Sequence, residues 1–361
     1  MRVMQLIDSL ELGGAERMAV TYANMLSKEI TASYLCVTRA EGALKSSLFS
    51  AVNYYFIGKK RTLDTKAVGR LVQLIKKENI DIIHAHGTSF FFAYLVKLKC
   101  KKIKLVWHNH HGASSQYGWI KMFVLKKCIE SFNVVITVNQ ELNGWVVSAL
   151  KFPQKSSYYI SNFIDFNILD KTKIKTLKGK ESQRIVCLAN LKYPKEHLFL
   201  SKAFLKITEA FPEATLHFVG ADYNDEYSEV IKEFISENKL QNTIFIHGKQ
   251  SNPQQYLNAC AIGVIASSSE GLPMALLEYA KSNLAVITTN VGQCATVVKD
   301  HGVVVSSGDV EEMSNAIKRL LQNIKEKSTL AKEYSNHIKF SYSLEAIKQD
   351  ILKIYDVIHY G

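Results

Sequence analysis

Apolar runs and helical patterns alternate along this chain almost from its first residue. Val3 to Ile7 is apolar and leads to a turn at Gly13-Gly14, after which Ala15, Met18, Ala19, Tyr22 and Leu26 recur at helical spacing. Strands are predicted at Ala32–Val37, Val52–Ile57, Ile80–Ala85, Lys104–Trp107 and Val134–Val138, with a helix at Ala67–Lys77. The alternation then restarts, with strands at Arg184–Ala189, Thr215–Val219, Thr243–His247, Ile262–Ala266, Ala285–Thr289 and Gly302–Val305. Helices are predicted between them at Leu198–Ala210, Glu226–Asn238 and Met274–Lys281. Apolar strands separated by helices imply parallel sheets. The expected fold is therefore α/β, two doubly wound Rossmann-like domains facing across a cleft, with ligands at the carboxyl ends of the strands. Asp170 to Gln183 has no apolar period and reads as a linker. The expected division is 1–165, 166–342, and a C-terminal helix, 343–361, packing back on the first domain.

Composition narrows the picture. A chain of 361 residues exceeds one ordinary core, and 47% hydrophobic with 22% charged residues is globular. The longest clean apolar run, Phe90 to Val96, is too short to span a bilayer, and Asp8, Glu11 and Glu16 interrupt any signal-peptide core. Six scattered cysteines without metal-like spacing read as reduced thiols of a cytoplasmic protein, at most peripheral to the inner membrane face. The net charge of +12 is lopsided: residues 1–165 carry 22 Lys/Arg against 11 Asp/Glu, and residues 166–361 carry 23 against 22. The basic half points toward an anionic partner. Tyr117 to Lys127 interleaves Trp119, Ile120, Phe123 and Val124 with lysines, which suits either an anionic membrane surface or burial against a sheet.

The chemistry centres on Ser267 to Thr289, SSSEGLPMALLEYAKSNLAVITT. Pro273 suits the first turn of a helix, which leaves Glu270, Gly271 and Leu272 in the loop and Glu278 on the helix. Free N–H groups at Met274, Ala275 and Leu276 would make an anion site, and Gly271 permits close approach of a ligand. Glu278 could take both hydroxyls of a sugar diol. Eight helical steps would separate the carboxylates by roughly 12 Å, a spacing for gripping two ends of one ligand rather than for a glycosidase pair.

EGLPMALLE resembles the E-x7-E motif of the retaining GT-B glycosyltransferases, glycosyltransferase family 4 (group 1 type). Val186–His197, Phe218–Gly220, Phe245–Gly248, Val286–Gln293, Val297–Asp300, His301-Gly302 and Gly308-Asp309 fall in that family's order. Ile160–Asp165 resembles its interdomain turn, with Asn162 inside it, and Leu12–Arg17 its acceptor-side glycine loop, with Gly13 and Gly14. The resemblance implies metal-independent transfer of a sugar from a UDP- or GDP-sugar to a glycan or lipid-linked acceptor, with retention at the anomeric carbon and no cofactor. It implies that Glu278 holds the ribose, Glu270 meets the donor sugar and Lys195 neutralises the leaving diphosphate. The family's Gly-Arg-Leu reads Ala189-Asn190-Leu191 here, so Asn190 stands at the arginine's place and Lys192 is its candidate substitute.

The family also places a histidine near the donor sugar. His84-Ala85-His86 and His108-Asn109-His110-His111 each follow a strand and are expected in loops at the cleft-facing ends, and His110, then His111, are the candidates. No third metal ligand is evident beside either H-x-H, and there is no D-x-D, so no metal is expected. A sugar-nucleotide epimerase or phosphorylase on the same fold is the alternative enzyme reading. Nucleic-acid binding through the basic half has neither stacking platform nor motif behind it.

Overall fold

The computed structural model describes residues 1–11, 13–110, 118–168 and 177–361. Contacts divide the chain into two units, Met1–Asn162 with Ile347–Gly361, and Phe163–Ala346.

In the first unit the order is β1 (Arg2–Ser9), α1 (Gly14–Glu29), β2 (Ala32–Ala40), β3 (Val52–Phe56), α2 (Thr65–Glu78), β4 (Ile82–His86) and α3 (Phe90–Lys99). It continues through β5 (Lys104–Asn109), α4 (Trp119–Ile129), β6 (Val134–Thr137), α5 (Gln140–Ala149) and β7 (Ser157–Tyr159). The seven strands pair in the order β3-β2-β1-β4-β5-β6-β7, every pair parallel. The order reverses between β1 and β4, the switch point where a doubly wound sheet opens for ligands.

In the second unit the order is β8 (Arg184–Leu188), α6 (His197–Leu205), β9 (Thr215–Val219), α7 (Glu226–Glu237), β10 (Ile244–Ile246), α8 (Gln254–Leu257), β11 (Ile262–Ile265) and α9 (Met274–Lys281). Then come β12 (Ala285–Thr289), α10 (Cys294–Val298), β13 (Val303–Val305), α11 (Val310–Gln322) and α12 (Ile324–Ser341). Its six parallel strands run β10-β9-β8-β11-β12-β13, so the switch lies between β8 and β11. Helix α13 (Leu344–Tyr360) starts in the second unit and from Ile347 onward belongs to the first.

Strands form where apolar and β-branched residues run together, and those of both sheets are covered on both faces. Every residue of β4, β9 and β12 is buried. Strand β4 begins two residues later than the apolar run suggests, because Asn79 adopts left-handed φ 51° and the Ile80 N–H still closes α2 on the Ile75 carbonyl. Strand β7 went unrecognised in the sequence, since Ser157-Tyr158-Tyr159 is short and offers no apolar alternation. Trp119, Ile120, Phe123 and Val124 are exposed, so the expected burial against the sheet does not hold for them.

Candidate active site

The second unit builds a charged cluster where β8, β11 and β12 end. After β8 the chain turns at Lys192-Tyr193-Pro194-Lys195, a cis-proline turn in which the Lys195 N–H donates to the Lys192 carbonyl at 2.9 Å. That turn brings Lys195 to the loop after β11, where its Nζ donates to Glu270 Oε1 at 2.5 Å. Ser267 Oγ donates to the same oxygen at 2.7 Å. The Glu270 side chain is only 9% exposed and that of Lys195 23%, so the pair is little screened by water. The loop itself is tied down on both sides. Ser268 N donates to the Pro194 carbonyl at 2.9 Å, and Ser268 Oγ to Glu196 Oε1 at 2.9 Å. From β12, Thr289 Oγ1 reaches the Ser267 carbonyl at 2.7 Å, and Gln293 N the Gly271 carbonyl at 3.0 Å.

Helix α9 follows directly. Pro273 is its N-cap in extended conformation (φ −70°, ψ 127°), one position before the first turn expected for it. Proline has no side-chain acceptor, so no side chain caps this end. Leu276 N donates to the Pro273 carbonyl at 3.1 Å, which removes it from the expected anion-binding set and leaves Met274 and Ala275 as its members. Tyr279 fixes the helix against the sheet: its hydroxyl accepts from Leu188 N at 2.8 Å and donates to the Val264 carbonyl at 3.1 Å. Gly263 makes room for that ring, because a Cβ there would lie 2.6 Å from it. The Tyr334 hydroxyl on α12 holds the Leu276 carbonyl at 3.1 Å. Glu278 rides on this pinned helix and is 6% exposed. Leu272 is buried in the same loop.

Asn190 has a structural bond in place of the family's arginine: its Oδ1 accepts from Ala221 N at 2.9 Å, joining the ends of β8 and β9. Lys192 is exposed on the cis-proline turn. Gly292 was missed in the sequence. Its φ is +53°, and a Cβ on it would lie 2.0 Å from the Glu270 carbonyl oxygen, so it is the residue that lets β12's loop seat against the glutamate. Only a positive-φ turn in three dimensions reveals it.

In the first unit the histidines lie inside the sheet, not in loops after the strands. His84 and His86 are in β4 and His108 is in β5, all buried, and His110 is the first residue past β5. Alternation along each strand turns them to one face, which α1 and α13 cover. Tyr22 meets His84 edge-on at 5.1 Å, and Tyr355 donates its hydroxyl to His84 Nδ1 at 2.6 Å. Gln5 Nε2 faces the Tyr355 hydroxyl at 3.3 Å and its Oε1 accepts from His86 Nε2 at 2.8 Å. His86 Nδ1 is then an acceptor, and the His110 Nε2–H donates to it at 2.9 Å. Burial pushes the His86 imidazole down to about 3 and those of His84 and His108 well below the usual value, so all three are neutral.

Among the described residues His84, His86 and His108 are the one group that could hold a metal, with ligand atoms within 4.8 Å of one another. Tetrahedral zinc needs nitrogens about 3.4 Å apart, and both nitrogens of His86 are already bonded. His86 is thus held in a hydrogen-bond chain, whereas His84 Nε2 and both nitrogens of His108 have no hydrogen-bond partner among the described residues.

Gly13 is the N-cap of α1 and Gly14 its first residue; a Cβ on Gly13 would lie 2.2 Å from Glu16 Oε2. Asn162 is buried and closes the first unit's N-terminal stretch. Leu12, His111, Tyr117 and the first half of the expected linker lie outside the described residues. Asp8, at the end of β1, was missed as a polar node. It accepts from Thr38 Oγ1 at 2.5 Å and Thr88 Oγ1 at 2.8 Å, with Lys59 Nζ at 3.4 Å and Arg39 at 3.6 Å. Burial raises its pKa, but these donors outweigh it and hold the carboxyl below its usual value.

Two parallel switch-point sheets, one ending in a carboxylate–lysine pair beside an uncapped helix, are the frame of a GT-B glycosyltransferase. Residues 182–323 match the family described as Glycosyl transferases group 1, and residues 12–167 match Glycosyltransferase Family 4. The chain belongs to this family and is a glycosyltransferase. The capsular polysaccharide biosynthesis glycosyltransferase CapH of Staphylococcus aureus is 26% identical over 309 residues, 82% of this chain and 83% of CapH. The UDP-Gal:alpha-D-GlcNAc-diphosphoundecaprenol alpha-1,3-galactosyltransferase of Escherichia coli is 22% identical over 336 residues, 86% of this chain and 85% of that enzyme. The crystal structure of Anabaena HepE in complex with UDP and glucose shares the fold, with a TM-score of 0.82 at 18% identity over 99% of this chain and 100% of HepE.

Proposed function

We propose that the protein transfers a hexosyl group from a nucleoside-diphosphate sugar, UDP before GDP, to a lipid-linked or polysaccharide acceptor, retaining the anomeric configuration and using no metal. The observation that carries this reading is the Lys195–Glu270 pair beside the α9 N-terminus, which no side chain caps. Departure of a nucleoside diphosphate concentrates negative charge, and a fixed ammonium with aligned amides stabilises it as it develops. Glu270 orients Lys195 until the diphosphate shares it, and then faces the donor sugar. Glu278, held by the Tyr279 anchor, takes the ribose hydroxyls. Lys192, Gly271, Leu272 and Pro273 frame the diphosphate, with Asn190 shaping the loop. His110 is assigned to the donor-sugar side, and Gly13, Gly14 and Asn162 to the acceptor side. The names of the E. coli galactosyltransferase and of the HepE complex support UDP and an undecaprenyl-type acceptor.

The test is ligand-linked stability followed by transfer. UDP should raise the melting temperature, because a ligand bound only by the folded form stabilises it by mass action. Glu278→Ala should weaken UDP binding by about 10-fold or more, the worth of hydrogen bonds to a charged group. Chelator should leave transfer unchanged, and NMR of the product should show a retained anomer. Stabilisation by neither nucleotide, or UDP affinity indifferent to Glu278→Ala, would end the reading.

A further inference from the structure

Helix α4 carries apolar residues on both its buried and its exposed side. Leu125, Cys128 and Ile129 are buried in the core, and Met122 packs against the same cluster. The opposite side presents Trp119, Ile120, Phe123 and Val124, exposed at 82, 60, 69 and 37%. Spacing of i, i+1, i+4 and i+5 sets these four on one stripe, and Lys127 follows on the same line one turn after Phe123. Single exposed apolar residues are ordinary, but a contiguous stripe containing Trp, Ile and Phe marks an interaction surface.

Charge decides the occupant. From Ile82 to Ile129 the sequence holds eight lysines and not one Asp or Glu. Lys126 and Lys127 are exposed on α4, and Lys99, Lys101 and Lys102 are exposed at the end of α3, which packs beside it; Leu98 there is exposed too. The nearest acid in sequence is Glu130, just past the helix. A second copy would bring like charges together across the contact. An anionic bilayer supplies an apolar boundary under a negative headgroup layer, the match for a lysine-flanked apolar stripe. At 11 residues α4 cannot span a bilayer, and no described helix is long and apolar enough to do so.

We propose that the outer face of α4 docks on an anionic lipid bilayer. Trp119, Ile120 and Phe123 enter the boundary between headgroups and acyl chains, while the α3 and α4 lysines pair with lipid phosphates. The proposal stands apart from the donor assignment, since binding is read with no sugar nucleotide or acceptor present.

The full chain is mixed with vesicles of phosphatidylcholine alone or with phosphatidylglycerol added. Binding should be about 10-fold or more tighter with phosphatidylglycerol and should weaken with salt. Trp119 is a built-in reporter, because Trp107 is buried and Trp145 half-buried. Its emission should shift blue on binding and be quenched by brominated lipid, a measurement that needs no variant. Trp119→Ser with Phe123→Ser should cut vesicle binding about 10-fold or more at an unchanged melting temperature. Absence of binding, absence of quenching, or equal binding by the double variant would overturn the proposal. So would a dimer of the free protein that the double variant dissolves, which would make a second copy the occupant.

Discussion

The two units share a strand order around their switch points yet differ in how much water their polar groups keep there. The first unit draws its histidines into the strands, strips them of water and keeps them neutral, His84 bonded to Tyr355 and His86 to Gln5 and His110, with His108 stacked among them. The second buries histidines too, His217 bonded to Thr215 and His247 and His197 to Tyr227. It also sets charges just beyond its strands, on loops bound to rigid elements, where Lys195 and Glu270 retain partial access. A buried neutral network specifies packing and orients one half-buried member, His110. A half-open ion pair can exchange one partner for an incoming charge. The difference is between holding a shape and carrying out a reaction.

Acid is the largest lever on this contrast. An unfolded histidine protonates below about 6.5, whereas His86 and His217 are held near 3 and His197 near 4, each chiefly by burial. Between these values the unfolded chain binds more protons, so stability is complete above about 6.5 and falls as the pH drops. Each such histidine removes about 1.4 kcal/mol per pH unit. His84 and His108, whose imidazoles burial also holds well below the usual value, act in the same direction. Circular dichroism and denaturant midpoints from pH 7 to 4.5 check this; a constant midpoint would mean the histidines are hydrated.

Next comes the ion pair. Lys195→Ala should lower kcat by about 100- to 1,000-fold, as loss of one preorganised donor to developing charge does, while the melting temperature changes little. Glu270→Gln should impair turnover comparably, and the double variant should fall short of the product of the two losses, since the groups act as a unit. Fully multiplicative losses in steady-state kinetics would separate them. A smaller effect is expected from Gly292→Ala. Its positive φ and the contact with the Glu270 carbonyl should cost about 1–3 kcal/mol in denaturant unfolding and lower kcat by displacing the loop.

Much of this was legible in the sequence. Strand runs were apolar on both faces, and the 274–281 helix was marked by its period and by the proline before it, so the frame and Glu278 fell where expected. The Lys195–Glu270 contact was not, because its partners lie 75 residues apart and meet only when β8 and β11 pair. The H-x-H pairs looked like polar loop residues. What makes them core is Tyr22 on α1 and Tyr355 on α13, the latter 271 positions beyond His84, and no local pattern announces such a cover. Gly292 looked like one more turn glycine until its backbone angle was known.

The split of the first unit, with its last segment contributed by Ile347–Gly361, bears on synthesis. A ribosome releases residues in order, so Phe163–Ala346 has emerged in full before Tyr355 can reach Gln5 and His84. The usual rule, by which the leading domain finishes first, is inverted here. The nascent β1 and β4 must wait without the cover of Tyr355 until Ile347–Gly361 has emerged.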